Sequence, residues 1–255
     1  MFSKNNKSCV IPSLATIILA LFLSPAAQTQ VLEEIIVTAQ RREQSILEVP
    51  ISLEAFTSNT LSQQGLRTLA DLANFSPSVE IDVNSVDQAS TVRGLGTYAR
   101  NFGVEGAVPI FVDGTHYGRI PMVMGGFMDL ERLEVLRGPQ PIAFGHNATA
   151  GAFNLVTRNP GPEMQDDVSV EYGNFGRVNF AGGVGGPIMD TLEIRLAGKW
   201  DKETGFIRDI LSGDMYPYQE ERGARVTLQW APADNFETTL MINKTEKPLG
   251  EKIYV

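Results

Sequence analysis

Two arginines that precede glycine are the first residues in this sequence whose type and position could do chemistry. Arg93 and Arg137 each end a predicted apolar strand, and glycine follows each of them directly. A guanidinium group presents a rigid fork of donors, so it can form charge-assisted hydrogen bonds with a carboxylate. Shielded from water, such a pair would hold two elements together, whereas on an open surface both residues would be solvated charges.

No set of residues suited to catalysis or metal binding is recognisable. His116 and His146 are far apart and have no cysteine or carboxylate at ligand spacing, so both are predicted to be hydrogen-bonding loop residues. The glycine-rich run 182–187 lacks the helix that follows a dinucleotide-binding loop. The sequence therefore predicts no enzyme, no catalytic residue, no metal site and no cofactor.

The composition is acidic and limits the kinds of partner. The chain has 21 Lys and Arg against 30 Asp and Glu, which gives a formal net charge of −9. Proteins that bind nucleic acid carry a basic stripe, and this sequence has none, so no nucleic-acid partner is expected. A length of 255 residues allows one or two domains.

The N-terminus has the order of a signal peptide. Two lysines precede the apolar run 10–23, and small residues follow as far as Ala26. The run is shorter than the roughly 20 residues of a transmembrane helix, so an uncleaved anchor is the weaker alternative. We expect a signal peptide over residues 1–26 and export of the chain. Cys9 is the only cysteine, so the mature chain would contain no disulfide.

Residues 27–48 form a segment that contains a short β-prone run, 33–40, with acidic residues before it and Arg41 and Arg42 after it. By itself this run could be any edge strand.

A compact α/β region with a small mixed sheet and short helices is predicted over residues 49–160. The predicted elements are strand 49–56, helix 58–64, a helix that begins after the capping-box pattern Thr68 to Asp71 and ends near Pro77, strands 79–83 and 91–93, and strand 109–112, which closes in the turn Asp113–Gly114. The stretch 129–157 predicts a charged helical turn, an apolar strand that ends at Arg137, a glycine-rich turn and a strand over 153–157.

From residue 167 to 255 apolar and polar residues alternate with a period of two, which predicts about five antiparallel strands. A soluble sandwich would alternate in the same way. The connections favour an outer-membrane barrel, because 185–190 and 231–235 are short turns while 201–221 is a long polar loop. Trp200 and Trp230 end their strands, as aromatic residues at opposite membrane interfaces would.

The stretch 129–157, together with the elements before it, resembles the plug domain of the TonB-dependent outer-membrane receptor family, in particular the ferric siderophore receptors. The resemblance covers the whole mature chain. Gln140–Pro141 and 144–146 depart from the usual residues after the Arg-Gly-Pro motif, which weakens any inference about the solute. The fold implied is an α/β plug domain followed by antiparallel strands of an incomplete transmembrane β-barrel.

The resemblance also assigns roles to residues near the N-terminus and to the two arginines. The run 33–40 is similar to the TonB box, an extended segment that pairs with an edge strand of TonB, the protein energised by the ExbB–ExbD complex of the inner membrane. The residues expected to bind TonB are Glu34, Ile35, Ile36, Val37, Thr38 and Ala39. Arg93 and Arg137 match family arginines that lock the plug to glutamates of later barrel strands.

The loops that face outward in relatives are the expected contacts for the solute. The candidates in these loops are Tyr98, Arg100, Phe102, Tyr117 and Arg119. Aromatic rings and arginines suit an anionic, partly aromatic iron chelate, that is, a ferric siderophore, and they would also suit a sugar. Outer-membrane lipid is the other expected partner.

The number of strands sets a limit on what this stretch could do alone. The family's barrel has about 22 strands, and an open sheet would leave unpaired backbone groups in lipid. We therefore expect the N-terminal part of a receptor that takes up a scarce solute and that does not transport without further strands. The alternatives are a signalling receptor, a soluble periplasmic binding or interaction module, and a non-functional truncated product.

Overall fold

The computed structural model describes residues 36–37, 44–47, 49–83, 88–98, 105–117, 125–145, 147–208, 210, 213–216, 219–233 and 235–247. The expected signal peptide, 1–26, lies outside these ranges. Within them, no helix combines the length and the apolar character that crossing a membrane requires.

Strands make up most of the structure. In chain order they are β1 (Ile36–Val37), β2 (Gln44–Ser45), β3 (Leu53–Thr57), β4 (Val79–Val83), β5 (Gln88–Val92), β6 (Leu95–Tyr98), β7 (Ile110–Val112), β8 (Thr115–Tyr117), β9 (Leu130–Arg137), β10 (Gly151–Thr157), β11 (Gln165–Gly173), β12 (Arg177–Met189), β13 (Leu192–Glu203), β14 (Ile207–Arg208), β15 (Met215–Tyr216), β16 (Gln219–Ala233) and β17 (Phe236–Glu246). The helices are α1 (Ser58–Gln63), α2 (Leu69–Phe75) and α3 (Pro141–Phe144).

The first domain is built on a mixed sheet with the order β3-β9-β10-β7-β8. Strand β10 runs parallel to β7, and the other neighbours are antiparallel. Helices α1 and α2 and a second sheet, β4-β5-β6, supply apolar residues such as Leu61, Leu72 and Val92 to the core on one face. This is the predicted small mixed sheet with short helices.

Capping residues fix where the two helices begin. Thr57 accepts a hydrogen bond from the backbone N–H of Thr60 at the start of α1. At α2, Thr68 accepts from the N–H of Asp71, while the Asp71 carboxylate accepts from the N–H of Thr68 at 2.8 Å. These reciprocal bonds satisfy backbone donors that have no partner inside the helix, and they confirm the predicted capping box.

The charged helical turn predicted after Asp129 is wrong, because β9 already begins at Leu130. The strand lies between β3 and β10 and is buried on both faces over most of its length. A strand that is buried on both faces has a nearly continuous run of apolar residues instead of an alternation with a period of two. The charged residues Arg132 and Glu134 inside this strand were therefore interpreted as one side of a helical turn.

The second part of the chain is one antiparallel sheet of five strands in the order β11-β12-β13-β16-β17, as the alternation predicts. The predicted short turn between β12 and β13 is present, but its predicted bounds, 185–190, are wrong: β12 continues to Met189, and the turn is at 190–191. Strand β11 pairs with β12 only as far as Gly185, so the missing N–H of Pro187 lies on an unpaired side of β12. The long loop between β13 and β16 contains the small hairpin β14–β15.

We predict that Thr68→Ala lowers the free energy of unfolding by about 1 kcal/mol, because the first turn of α2 loses a side-chain acceptor. The measurement is urea unfolding of the detergent-solubilised protein, followed by circular dichroism. Asn59→Ala, an exposed change in the first turn of α1, is the control and is expected to stay within about 0.5 kcal/mol of the parent. Equal losses in both variants would contradict the role of the cap.

Candidate functional site

Two residues of the segment expected to bind TonB, Ile36 and Val37, are described, and they lie folded back on the first domain. Ile36 pairs with Ser45 and Val37 pairs with Gln44 in a two-stranded antiparallel sheet. The side chain of Val37 is fully buried, whereas Ile36 is half exposed. Val37 packs in a second apolar cluster that includes Phe111. Two backbone pairs and the buried side chain of Val37 therefore hold Ile36 and Val37 in place.

Four of the six residues expected to bind TonB are outside the described residues: Glu34, Ile35, Thr38 and Ala39.

Arg93 and Arg137 both contact residues at the start of β3. Arg137 forms an ion pair with Glu54, and its backbone N–H donates to the carbonyl of Ser52 at 2.9 Å. Arg93 donates through Nη2 to the hydroxyl of Ser52, also at 2.9 Å. The structure thus brings the two arginines together around β3.

A buried ion pair that was not predicted from the sequence joins the first domain to the five-stranded sheet. Arg195 on β13 donates through Nε and Nη2 to the two carboxylate oxygens of Asp129, at 2.7 and 2.5 Å. The Arg195 and Asp129 side chains are only 1% and 2% exposed. Arg195 also reaches Asp167 on β11 at 2.7 Å. A bidentate pair so shielded from water fixes both the position and the orientation of the residue before β9.

A second set of contacts binds the glycines that precede Asp129. Lys199 on β13 forms an ion pair with Glu221 on β16 and donates to the carbonyl oxygen of Gly126. Glu221 in turn accepts from the N–H of Gly126 at 2.8 Å. Strand β16 adds Arg225, which donates to the carbonyl of Met128 at 3.2 Å. Charged side chains of the five-stranded sheet, which we name the wall, therefore satisfy backbone groups of residues 125–129, which we name the anchor segment.

Glycines at two positions allow the anchor segment and the wall to lie in close contact. A Cβ atom on Gly183 of β12 would lie 2.7 Å from Nη2 of Arg195 and 3.2 Å from a carboxylate oxygen of Asp129. A Cβ atom on Gly125 would collide with the carboxylate of Glu221. Any larger residue at these positions would have to displace an ion pair.

Two further ion pairs join the helical side of the plug to β11. Arg67 pairs with Glu171, and both side chains are about one third exposed. Arg158 donates to Asp167 at 2.7 Å and to the hydroxyl of Ser58 at 2.9 Å. Because these pairs are more open to water than the Arg195–Asp129 pair, they contribute less to holding the two parts together.

A polar cavity of about 210 Å³ remains between the start of α2 and the ends of β12, β13 and β16. On its wall Arg177 pairs with Asp201 at 2.8 Å and with Glu203 at 3.2 Å. Sites for drug-sized ligands usually occupy about 300–1,000 Å³, so this cavity could hold only part of a large solute.

The residues predicted to contact the solute are described only in part. Tyr98 is the last residue of β6 and pairs with Ala89. Tyr117 is the last residue of β8, pairs with Ile110 and is partly buried. Arg100, Phe102 and Arg119 lie outside the described residues, as does His146. His116 packs against the ring of Phe111, with 5.3 Å between the ring centroids.

The wall residues could have been found from one signal in the sequence. Arg195, Lys199 and Arg225 occupy the polar face of strands whose other face is apolar, and all three are at least nine-tenths buried. Buried cations need partners, so their positions point to an acidic or carbonyl-rich surface packed on that face. The alternation could not predict that this surface is the segment 125–129.

Comparisons with known proteins agree with this architecture. Residues 45–152 match the family model described as the TonB-dependent receptor plug domain. The chain is 26% identical over 222 residues to the vitamin B12 transporter BtuB of Vibrio vulnificus strain YJ016, which covers 82% of the chain and 35% of the relative. It is 27% identical over 205 residues to the ferric-pyoverdine BN7/BN8 receptor of Pseudomonas putida, which covers 80% of the chain and 22% of the relative.

Solved structures share the fold. The ferric yersiniabactin uptake receptor FyuA from Yersinia pestis superposes with a TM-score of 0.69 at 22% identity, over 76% of this chain and 31% of that chain. The ferripyoverdine receptor of the Pseudomonas aeruginosa outer membrane, bound to ferripyoverdine, gives a TM-score of 0.69 at 15% identity, over 84% and 27%. The chain thus spans about a third or less of the length of these four proteins.

The fold and the contacts define a plug domain whose anchor segment is bound by the charged face of an antiparallel sheet. Residues 45–152 form a domain of the TonB-dependent receptor plug family, and the chain is similar to members of that receptor family over about four fifths of its length. Both the predicted family and the predicted fold class are confirmed. The relatives are named as transporters and receptors, which confirms the prediction that the chain is not an enzyme.

We predict that Arg195→Gln lowers the free energy of unfolding by about 3–5 kcal/mol, because Asp129 is left as a buried charge without its main partner. The measurement is denaturant unfolding in detergent micelles, followed by tryptophan fluorescence. The control is Arg222→Gln on the neighbouring strand, whose side chain is 66% exposed and pairs with Glu220. Its loss is expected to stay below about 1 kcal/mol. Similar losses in the two variants would mean that Arg195 does not anchor the plug.

Proposed function

We propose that this chain is the N-terminal part of an outer-membrane receptor, exported by its signal peptide, for the energy-coupled uptake of a scarce solute. The solute class we propose is a ferric siderophore. In this proposal the five-stranded sheet contributes to a transmembrane wall, TonB pulls on the segment that contains Ile36 and Val37, and the plug rearranges to admit the solute. Transport depends on barrel strands beyond the five in this sheet.

One observation carries the proposal: the five-stranded sheet is apolar on the outside and charged on the inside. On β11 the outward residues Val168, Val170 and Tyr172 are 69–84% exposed. The inward side chains of Arg195 and Lys199 are 1% and 4% exposed and contact the plug. A soluble sandwich buries its apolar face, whereas a membrane barrel presents that face to lipid. This arrangement therefore favours the membrane wall over the soluble module.

The positions of two tryptophans support contact with lipid. Trp200 is directly opposite Arg222, and Trp230 follows Arg222 by eight residues on β16. At about 3.3 Å per residue, the two side chains are separated by roughly 26 Å along the strands, or about 20 Å once a tilt near 40° is included. Both are partly exposed on the outward face. This spacing suits aromatic residues at the two interfaces of an apolar band about 25 Å tall.

The packing of Ile36 and Val37 supports the proposed binding of TonB and, through TonB, the coupling to ExbB–ExbD. Ile36 and Val37 already adopt the extended conformation that adding a strand to another sheet requires. Only two backbone pairs connect them to β2, so a partner strand could replace these pairs with similar ones. We assign Glu34, Ile35, Ile36, Val37, Thr38 and Ala39 to this interface.

The surroundings of Arg93 and Arg137 support their proposed role as a lock to later strands. Arg93 is exposed, and the buried Nε of Arg137 has no hydrogen-bond partner among the described residues. Glu54 neutralises only one of the two charges. A carboxylate on a further strand would satisfy the remaining donors.

The relatives suggest which solutes to test. The structural relatives include receptors for ferric yersiniabactin and ferripyoverdine, and the sequence relatives include a vitamin B12 transporter. We place a ferric siderophore first and cobalamin second. In either case we assign the outward contacts to the loops that carry Tyr98, Arg100, Phe102, Tyr117 and Arg119.

We predict that Ile36→Pro abolishes energised uptake, because proline removes a backbone donor and cannot complete an added strand. The measurement is uptake of iron from a ferric hydroxamate, a ferric catecholate and a ferric pyoverdine, with labelled cobalamin in parallel, by cells in which the complete receptor, with all its barrel strands, is the only receptor. Ile36→Val, which keeps the backbone, is the control and is expected to retain uptake.

Unchanged uptake in Ile36→Pro would overturn the TonB assignment. Uptake of cobalamin alone would replace the proposed solute class. Release of the protein from cells with the periplasmic fraction, without detergent, would overturn the membrane proposal and favour the soluble module.

A further inference from the structure

Arg225, on the inward face of β16, is a buried cation whose donors are mostly unused. The residue is 7% exposed. Within the described part of the chain, its one hydrogen bond is donated through Nη1 to the carbonyl oxygen of Met128, at 3.2 Å. The buried Nε has no acceptor among the described residues. A buried guanidinium group without a paired carboxylate is unfavourable, so this position favours the arrival of an anionic partner.

The two nearest cations on the neighbouring strand do have carboxylate partners. Arg225 is directly opposite Ala197 on β13, and Arg195 and Lys199 lie two positions before and after Ala197, on the same inward face. Arg195 and Lys199 each form an ion pair with a carboxylate. Of these three buried cations, Arg225 is the one whose acceptor in the described structure is a neutral carbonyl.

The acidic groups close to Arg225 are already bonded to other residues. The groups that act on it electrostatically are Asp113, Asp129 and Tyr117. The two carboxylate oxygens of Asp113 accept from the N–H and the hydroxyl of Thr157, at 2.8 and 2.9 Å. Asp129 accepts through both oxygens from the β13 arginine. Neither carboxylate can therefore pair with Arg225 without losing bonds that it already makes.

The level of Arg225 in the wall determines when a solute could meet it. Trp200 is opposite Arg222, and Trp230 lies further along β16, so Arg225 is between the levels of the two tryptophans. In the proposed orientation it faces the lumen within the height of the apolar band. A solute group that reaches Arg225 has therefore already passed the outward loops, and in this structure burial closes the position.

The unused donors of Arg225 distinguish charged from neutral groups. A carboxylate, catecholate or phosphate oxygen binds a guanidinium group more strongly than a neutral carbonyl does, and two such oxygens can accept two parallel N–H bonds. An anionic group would therefore gain free energy by replacing the carbonyl of Met128. An uncharged carbonyl would only exchange one neutral acceptor for another.

We propose that Arg225 is a transit site for an anionic group of the solute, which replaces the carbonyl of Met128 on the guanidinium group during uptake. This inference rests on the proposed function and narrows its solute class to chelates that carry an anionic group. Because the site is closed in this structure, Arg225 contributes to the rate of uptake and not to the first binding of the solute.

The test uses cells in which the complete receptor, with all its barrel strands, is the only receptor. The probes are a ferric tris-catecholate, which is strongly anionic, and a ferric tris-hydroxamate, which is uncharged. Binding is measured after a protonophore, and the initial rate of uptake is measured in energised cells. The control variant is Arg222→Gln, three residues earlier on the same strand, where the side chain is 66% exposed.

We expect Arg225→Gln to lower the uptake rate of the tris-catecholate about tenfold, because a charge-assisted hydrogen bond made during passage is lost. Binding of both chelates and uptake of the tris-hydroxamate should stay unchanged, as should all four quantities in Arg222→Gln. Arg225→Lys keeps the charge without the fork, so it should show the same selective loss in smaller measure. It replaces the glutamine variant if that variant is not assembled.

The outcomes separate this inference from the proposed function. Equal slowing for both chelates would mean that Arg225 only supports the wall, and unchanged uptake of both would mean that the solute does not meet it. Either result overturns the transit site. If the parent receptor takes up only the tris-hydroxamate, the proposed function stands and the anion site is rejected. If the parent takes up no ferric chelate, the proposed solute class is wrong, and this inference is rejected with it.

Discussion

The ion pair between Asp129 and Arg195 is the constraint on which the arrangement of the plug against the wall depends. Both side chains are almost fully buried, and neither charge would be stable there without the other. The backbone is shaped around the pair: Asp129 has a left-handed φ of 54°, and Gly183 leaves the space that Arg195 fills. The pair therefore sets where β9 begins and how the plug sheet meets β13.

The two faces of the five-stranded sheet follow from the same requirement. The anchor segment presents backbone groups and a carboxylate, so the wall opposite it must supply charged partners, and Lys199, Glu221 and Arg225 do so. Since side chains alternate along a strand, the neighbouring residues point outward, and most of these, such as Leu196 and Leu240, are apolar. The charged inner face and the apolar outer face thus both follow from the alternation of side chains. In the proposed function, lipid covers the apolar outer face.

Features that depend on neighbours in the sequence could be predicted, whereas features that depend on distant partners could not. The capping box at Thr68 and the alternation along β11 to β17 are local, and both are confirmed. The strand that ends at Arg137 was predicted, but its first residues were assigned to a helical turn because burial between two other strands hides the period of two. The pairing of Arg195 with Asp129, 66 residues earlier, has no local signal beyond a charge on a polar face. The contacts of Arg93 with Ser52 and of Arg137 with Glu54 also had no local signal, so these partners were not foreseen.

The most direct test of the account is an accessibility scan along β16 in lipid vesicles. Spin labels placed one at a time at positions 224 to 228 would be exposed to oxygen, which dissolves in lipid, and to a water-soluble nickel chelate. The account predicts a period of two: labels at 224, 226 and 228 collide with oxygen, and labels at 225 and 227 are protected from both reagents. Access of the nickel chelate to the even positions, or equal access at all five, would contradict a wall that holds the plug on one face and meets lipid on the other.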